Sequence, residues 1–225
     1  MSKKKKEYST RLSSQYNVWR GLFQNLVCKF GYMIRFKLVY RLEVQGLENV
    51  PKDNEYIICP NHLSTLDPPL MVSVMPRHVA FMAKKELFDI PFLRWWIDWL
   101  GAFAVNRESL GPSTVKTVKI IKDSKWVLGM FPQGTRGVPG EIRGVTKGFA
   151  GLAKLTKCAI LPILGTNEVK RWPFTGKIVV KIGKPIPYSN NPEETMQKWI
   201  DAIEELTGFK YIPDEETKEI GAENE

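Results

Sequence analysis

Tyr56-Ile57-Ile58-Cys59-Pro60-Asn61-His62-Leu63-Ser64-Thr65-Leu66-Asp67-Pro68-Pro69 carries most of the reading of this chain. The run Tyr56 to Cys59 is short, apolar and bounded by Pro60, the pattern of a strand buried on both faces. Asp67 followed by two prolines is a helix start, with Asp as N-cap and Pro at the first helical position. His62 therefore stands at the carboxyl end of a strand, before a helix, where open α/β sheets bind their ligands. A carboxylate five residues further on can accept the imidazole Nδ1 proton, fix the tautomer and leave Nε2 free as a base. This needs His62 on the turn: five residues of ideal helix would set the two side chains roughly 140° apart. Asp67 alone is equally explained as a cap.

On both sides of this stretch, apolar runs alternate with helical patterns. Strands are expected at His78 to Ala83, Ala102 to Val105, Trp126 to Phe131, Ile160 to Leu164 and Lys177 to Ile182, with a strand and turn over Leu42 to Pro51. Helices are expected after Asp67, over Pro91 to Leu100, Pro112 to Lys122 and Pro192 to Leu206, and after Thr146. The alternation predicts an α/β fold, a mixed, mostly parallel sheet flanked by helices on both faces. The 225 residues suit one such domain, placed at 43–212.

The net charge of +9 is localised. Residues 1–42 hold ten Lys or Arg against one Glu, and the remainder holds 23 of each sign. The basicity is an arm, which points to an anionic surface met by one end of the protein. After Lys3-Lys4-Lys5-Lys6, apolar residues Trp19, Leu22, Phe23, Leu26, Val27, Phe30, Met33, Ile34 and Leu38 recur at helical steps between basic residues. The longest uncharged stretch, Gly21 to Cys28, is far short of the ~20 residues a membrane span needs. No apolar run or cleavage site of a secretory signal follows the lysines. The segment 1–42 is expected to be an amphipathic helix lying in a membrane interface, or else a helix packed on the domain. Pro91 to Leu100, with Trp95, Trp96 and Trp99, is apolar almost all round; it faces lipid, an acyl chain, or the core. Residues 213–225 hold six acids and one Lys and read as an acidic disordered tail. Cys28, Cys59 and Cys158 are widely spaced and odd in number, which suggests reduced thiols.

Between Gly134 and Gly148, glycines alternate with Arg136, Arg143 and Lys147 ahead of a helix. That composition suits a loop approaching an anion, or a plain flexible surface loop. No Walker A motif and no G-x-S-x-G elbow occurs, and no cysteine looks activated. Two histidines leave no His-rich metal site, and no cofactor is implied. A base and anion binders without a protein nucleophile fit direct transfer to a substrate hydroxyl.

Asn61-His62-Leu63-Ser64-Thr65-Leu66-Asp67 resembles the N-H-x-S-x-x-D block of the glycerolipid acyltransferases, the 1-acyl-sn-glycerol-3-phosphate (lysophosphatidic acid) acyltransferase family. Three more blocks resemble that family's in order: Gly101 to Arg107, Phe131-Pro132-Gln133-Gly134-Thr135-Arg136, and Leu161-Pro162-Ile163. Gln133 departs from the family's Glu, and Ala104 from a common aromatic. The resemblance implies fatty acyl transfer from acyl-CoA or acyl carrier protein to the free hydroxyl of a lysophospholipid acceptor, 1-acyl-glycerol-3-phosphate, giving phosphatidic acid. It implies His62 as general base with Asp67 as its orienter. Arg136, with Arg107, Gln133, Gly134, Thr135 and Lys147, would bind substrate. Backbone amides near Gly134 or in the His62 turn are candidate oxyanion donors. The departure at Gln133 keeps open another acceptor, glycerol-3-phosphate or a lyso-aminolipid. A non-catalytic module for anionic lipid or nucleic acid is the distant alternative; nucleic acid is not expected, because basic and aromatic residues do not interleave on the neutral domain. The arm would hold the enzyme peripherally on the cytoplasmic face of the cell membrane.

Overall fold

A computed structural model describes residues 8–106, 111–168 and 176–213. Seven strands form one sheet: β1 (Glu43–Gln45), β2 (Tyr56–Pro60), β3 (Val79–Lys84), β4 (Phe103–Val105), β5 (Val127–Gly129), β7 (Ala159–Glu168) and β8 (Lys177–Ile182). Two-residue strands β6 (Glu141–Ile142) and β9 (Lys210–Tyr211) pair separately. The main sheet runs in the order β1-β8-β7-β2-β5-β3-β4. Every neighbouring pair is parallel except β7 with β8. β2 lies in the middle, with Ile57 opposite Leu128 on one side and Ile160 on the other.

All five residues of β2 are buried, as a central parallel strand requires. Ile57 and Cys59 point into one layer, where Trp126, Phe149 and Trp199 pack. Tyr56 and Ile58 point into the other, with Met71, Cys28 and Phe36. The first layer carries helices α5 (Pro112–Lys122), α6 (Gly148–Thr156) and α7 (Pro192–Thr207). The second carries α3 (Asp67–Val74) and the N-terminal rod.

That rod is helical from Val18 to Tyr40: α1 (Val18–Gln24), a π-helical stretch (Asn25–Tyr32) and α2 (Met33–Tyr40). Its inner face is fastened to the sheet. Gln24 is fully buried; its amide nitrogen donates to Val79 O and Leu100 O, and its oxygen accepts from Val79 N–H. Ser73 donates from α3 to Cys28 O. Ahead of the rod, Ala104 N–H donates to Tyr8 O, which covers the β4 edge. The buried Arg11 guanidinium bonds the carboxylate of Asp98 and the carbonyl of Ala102, and Arg20 shares Asp98. Residues 8–40 thus share their core with the α/β unit; the expected boundary at 42 lies between α2 and β1 but does not divide two cores.

The rod's outer face is apolar and open. Val18, Trp19, Leu22, Leu26, Phe30, Ile34 and Leu38 are exposed, Leu38 to 78%. Beside it lies α4 (Pro91–Trp99), whose Trp95, Trp96 and Trp99 surround Phe23. Phe92 is 77% exposed, and Trp95 and Trp99 are partly so. No helix among the described residues is long and apolar enough to cross a membrane.

Candidate active site

The carboxyl ends of β2, β5 and β3, adjacent in the sheet, open on one cavity of about 530 Å³. His62 reaches it from the loop after β2, Thr135 and Arg136 from the loop after β5, and Lys84 is the last residue of β3. Thr65 completes the polar end, and no carboxylate lines the wall among the described residues. The rest is apolar: Val72, Val79, Phe81, Trp96, Ile97 and Leu100, with Cys28 and Tyr32 contributed by the rod. The cavity is therefore amphipathic, with a cationic rim and a greasy interior, and the rod and α4 that wall it also bear the open apolar surface.

His62 is held from four directions. Its Nδ1 lies 2.9 Å from Asp67 Oδ2. The same oxygen accepts the backbone N–H groups of Leu63 and Ser64, each at 2.7 Å. Asp67 is the first residue of α3 with Leu66 as N-cap, so its carboxylate turns back onto the loop and does not cap the helix as expected. The imidazole stacks on Phe131 at 4.0 Å between centroids, and Phe131 stacks in turn on Phe81. Asn61 is buried; it accepts from Gly165 N–H and donates to Gly165 O, which pins the loop to β7. The loop after β5 grips the backbone of His62 itself: Gln133 Oε1 accepts its N–H at 2.9 Å, and Gly137 N–H donates to its carbonyl at 2.8 Å. The side chain is 13% exposed, and Nε2 has no partner among the described residues. An ionised carboxylate only accepts hydrogen bonds, so Asp67 sets the proton on Nδ1 and presents Nε2 to the cavity as an acceptor.

Other expected site residues are placed differently. Gln133 is buried and does not line the cavity. Lys147 pairs with Glu193 at the surface and is not a lining residue either. Arg107 lies outside the described residues. The Gly134 and Thr135 amides donate to Phe131 O and Gln133 O, and those of Leu63 and Ser64 to Asp67, so none of these four amides is open to an oxyanion. Arg136 is exposed at the mouth without an ion pair among the described residues. Lys84 escaped the sequence reading, although a cation closing a strand beside those that carry His62 and Arg136 was a usable signal. Burial disfavours the thiolate form of all three cysteines: it pushes the Cys28 thiol up to about 12 and raises those of Cys59 and Cys158.

A family model described as acyltransferase matches residues 41–166, from β1 through the loop that carries Arg136 to β7. The chain belongs to this acyltransferase family. Its curated relatives include the 1-acyl-sn-glycerol-3-phosphate acyltransferase of Bacillus subtilis, 32% identical over 64% of this chain and 73% of that one. The protein of the same name from Streptococcus pneumoniae is 33% identical over 75% of this chain and 64% of that one. Among solved structures, the 1-acyl-sn-glycerophosphate acyltransferase PlsC of Thermotoga maritima superposes with a TM-score of 0.67 at 24% identity, over 84% of this chain and 80% of that one. That likeness establishes the fold, a mixed and mostly parallel sheet flanked by helices. In this acyltransferase the match brackets the cavity's three strand ends and leaves the rod outside it.

Proposed function

We propose that the protein transfers a fatty acyl group from an acyl thioester, acyl-CoA or acyl carrier protein, to the free hydroxyl of 1-acyl-glycerol-3-phosphate, yielding phosphatidic acid. One observation carries this reading: an oriented His–Asp pair opens on a cavity that is cationic at the rim and apolar inside. His62 Nε2 takes the hydroxyl proton as the oxygen attacks the thioester carbonyl carbon. The tetrahedral intermediate collapses, the carbon–sulfur bond breaks, and His62 returns the proton to the departing thiolate. Charge balances through both steps without a covalent enzyme intermediate.

The rim divides the remaining work. Arg136, a planar fork, receives the acceptor phosphate, and Lys84, whose Nζ lies 3.8 Å from Glu86 Oε2, adds a partly neutralised positive charge to the same cavity lining. Thr65 lines the cavity with its amide and hydroxyl uncommitted among the described residues, and is the donor left for the oxyanion. The apolar interior takes the acyl chain. The outer rows of the rod and α4 rest in the headgroup region of the leaflet that holds acceptor and product, on the cytoplasmic face, with the basic arm drawn to anionic lipid. The departure at Gln133 favours glycerol-3-phosphate or a lyso-aminolipid only if that residue meets the acceptor; its burial away from the cavity removes the motive.

The test is a panel. The purified full-length protein is incubated with radiolabelled acyl-CoA or acyl carrier protein and with 1-acyl-glycerol-3-phosphate, glycerol-3-phosphate or a lyso-aminolipid in mixed micelles. Phosphatidic acid should form, and His62→Ala should abolish it while the protein stays folded. Faster transfer to glycerol-3-phosphate, or turnover retained in His62→Ala, would overturn the reading.

A further inference from the structure

Gln133 replaces the charged residue that the family pattern leads one to expect, in the loop that carries Arg136. Its position gives it a different task from substrate binding. It is 3% exposed, stands off the cavity wall, and spends its carbonyl oxygen on the backbone N–H of His62, 71 residues earlier in the chain. On the other side of the same residue, Gly137 N–H holds the His62 carbonyl. The approach is close: a Cβ on Gly137 would come within 2.9 Å of Gln133 Nε2. Asp67 and Phe131 act on the imidazole ring, Phe131 from the same loop as Arg136, but neither holds the backbone of His62. The Gln133 and Gly137 bonds do, since both tie the base's own backbone to that loop.

We infer that Gln133 is a positioning residue, which sets the distance between the base and the phosphate-binding loop through the His62 N–H and touches no substrate. The inference rests on His62 being the base, as proposed above. A side chain acting this way needs only an acceptor atom at one place. Glu meets that need as well as Gln, because one carboxylate oxygen overlays the amide oxygen. A Leu does not, and leaves the part-buried His62 N–H without this partner. Small misplacements of a catalytic group lower the rate without weakening ground-state binding.

Three variants decide it: Gln133→Leu, Gln133→Glu and Gly137→Ala. Gln133→Leu should lower kcat roughly tenfold to hundredfold, the scale for displacing a catalytic group by up to about 1 Å. The KM values for lysophosphatidic acceptor and acyl thioester should both stay within about twofold. Gln133→Glu should keep wild-type kcat and the same ratio of activities on acceptors with and without phosphate. Gly137→Ala, which pushes the Gln133 amide aside, should resemble Gln133→Leu. The second readout does not need activity. The chain has two histidines, so ¹⁵N-histidine labelling reports the amides of His62 and His78 alone. The His62 amide should shift and lose exchange protection in Gln133→Leu, keep its protection in Gln133→Glu, and the His78 amide should stay put in both. A rise in acceptor KM with kcat unchanged would overturn the inference and return Gln133 to the substrate site. An unmoved His62 amide in Gln133→Leu would overturn it as well. If the wild-type protein transfers to no acceptor, the proposed function falls, and the His62 amide still decides the role of Gln133.

Discussion

Asp67→Asn gives the sharpest test of the base proposed at His62. In a His–Asp pair the usual damage from this change is an inverted tautomer, because the new amide NH₂ turns toward the imidazole. Here that rotation is blocked. Asp67 Oδ2 also holds the Leu63 and Ser64 amides, each at 2.7 Å, and an NH₂ in its place would face two backbone donors. The Asn carbonyl must take the Oδ2 position, so Nδ1 keeps its proton and Nε2 stays an acceptor. What is lost is charge. A bond to a charged acceptor is worth about 1.5–3 kcal/mol and a neutral one about 0.5–1.5, so three weakened bonds cost about 3 kcal/mol of stability. For a chain of this size that is a fall in Tm of about 6–12 °C. The imidazolium formed during proton transfer loses a partner 2.9 Å away, worth about 6 kcal/mol at an effective dielectric of about 20, part of which the amide dipole retains. The expected result is a kcat about 10² to 10³ below wild type with both KM values little changed. Asp67→Ala, which leaves the two amides without an acceptor, should be slower still and melt lower. Steady-state transfer in mixed micelles and thermal melting supply both numbers. A kcat within fivefold of wild type would show that Asp67 does not serve the base. A loss beyond 10⁴ would show that the amide does flip and that the backbone bonds do not pin it.

Arg136→Ala should raise the KM for the phosphate-bearing acceptor by about one to two orders of magnitude while sparing the thioester, with Arg136→Lys intermediate, measured by varying each substrate in turn. Leu26→Glu and Phe30→Glu alter exposed positions on the rod, so folding should be unchanged; partition onto anionic vesicles in a flotation assay should weaken by about tenfold or more for each, from about 1.5–3 kcal/mol of lost apolar burial. Val72→Phe should narrow the interior of the cavity and shift preference to shorter acyl donors, at about fourfold in kcat/KM per methylene excluded. Burial, reinforced by Lys29, lowers the pKa of His78 below its ordinary 6.5, and its Nδ1 is buried without a partner among the described residues. The unfolded chain then binds a proton first as pH falls, so stability should decline from about pH 6.5 down to the folded-state value, and denaturant titrations of His78→Phe should lack that part of the slope.

Much of the framework could be read from the chain because it rests on local patterns. β8 and α5 fall on the residues expected from apolar spacing and from Pro at a helix start, and β2 stands out because a central parallel strand must be apolar on both faces. His62 and Asp67 could be read because five residues separate them. The parts that escaped depend on contacts distant in sequence. Nothing local distinguishes Gln133 reaching for a backbone amide from Gln133 facing a substrate. Asn61 clasps Gly165, 104 residues on, and the sequence offers no trace of it. Lys147 reads as an anion binder beside a glycine-rich loop until α7 brings Glu193 to it. The amides of the His62 turn look open to an oxyanion only while Asp67 is taken for a cap. β6 and β9 are two residues each, too short for any period to register.

The change of winding halfway along the N-terminal rod bears on its outer row. Val18, Leu22, Leu26, Phe30, Ile34 and Leu38 are spaced by four, and four residues of α-helix overshoot a full turn by about 40°. Over five such steps an unbroken α-helix would carry the row about 200° around its axis and leave its two ends facing opposite ways. The π stretch turns more slowly, about 4.4 residues to the turn, so its eight residues take back roughly 140°. The row then drifts by only about 60° from end to end and keeps one bearing for the length of the rod. Slow winding in the middle acts as a phase correction between a four-residue period in the sequence and a 3.6-residue period in the backbone. Removing one residue between Asn25 and Tyr32 would restore the faster winding there, turn α1 relative to α2, and send Trp19 and Leu22 toward a different side of the molecule from Leu38.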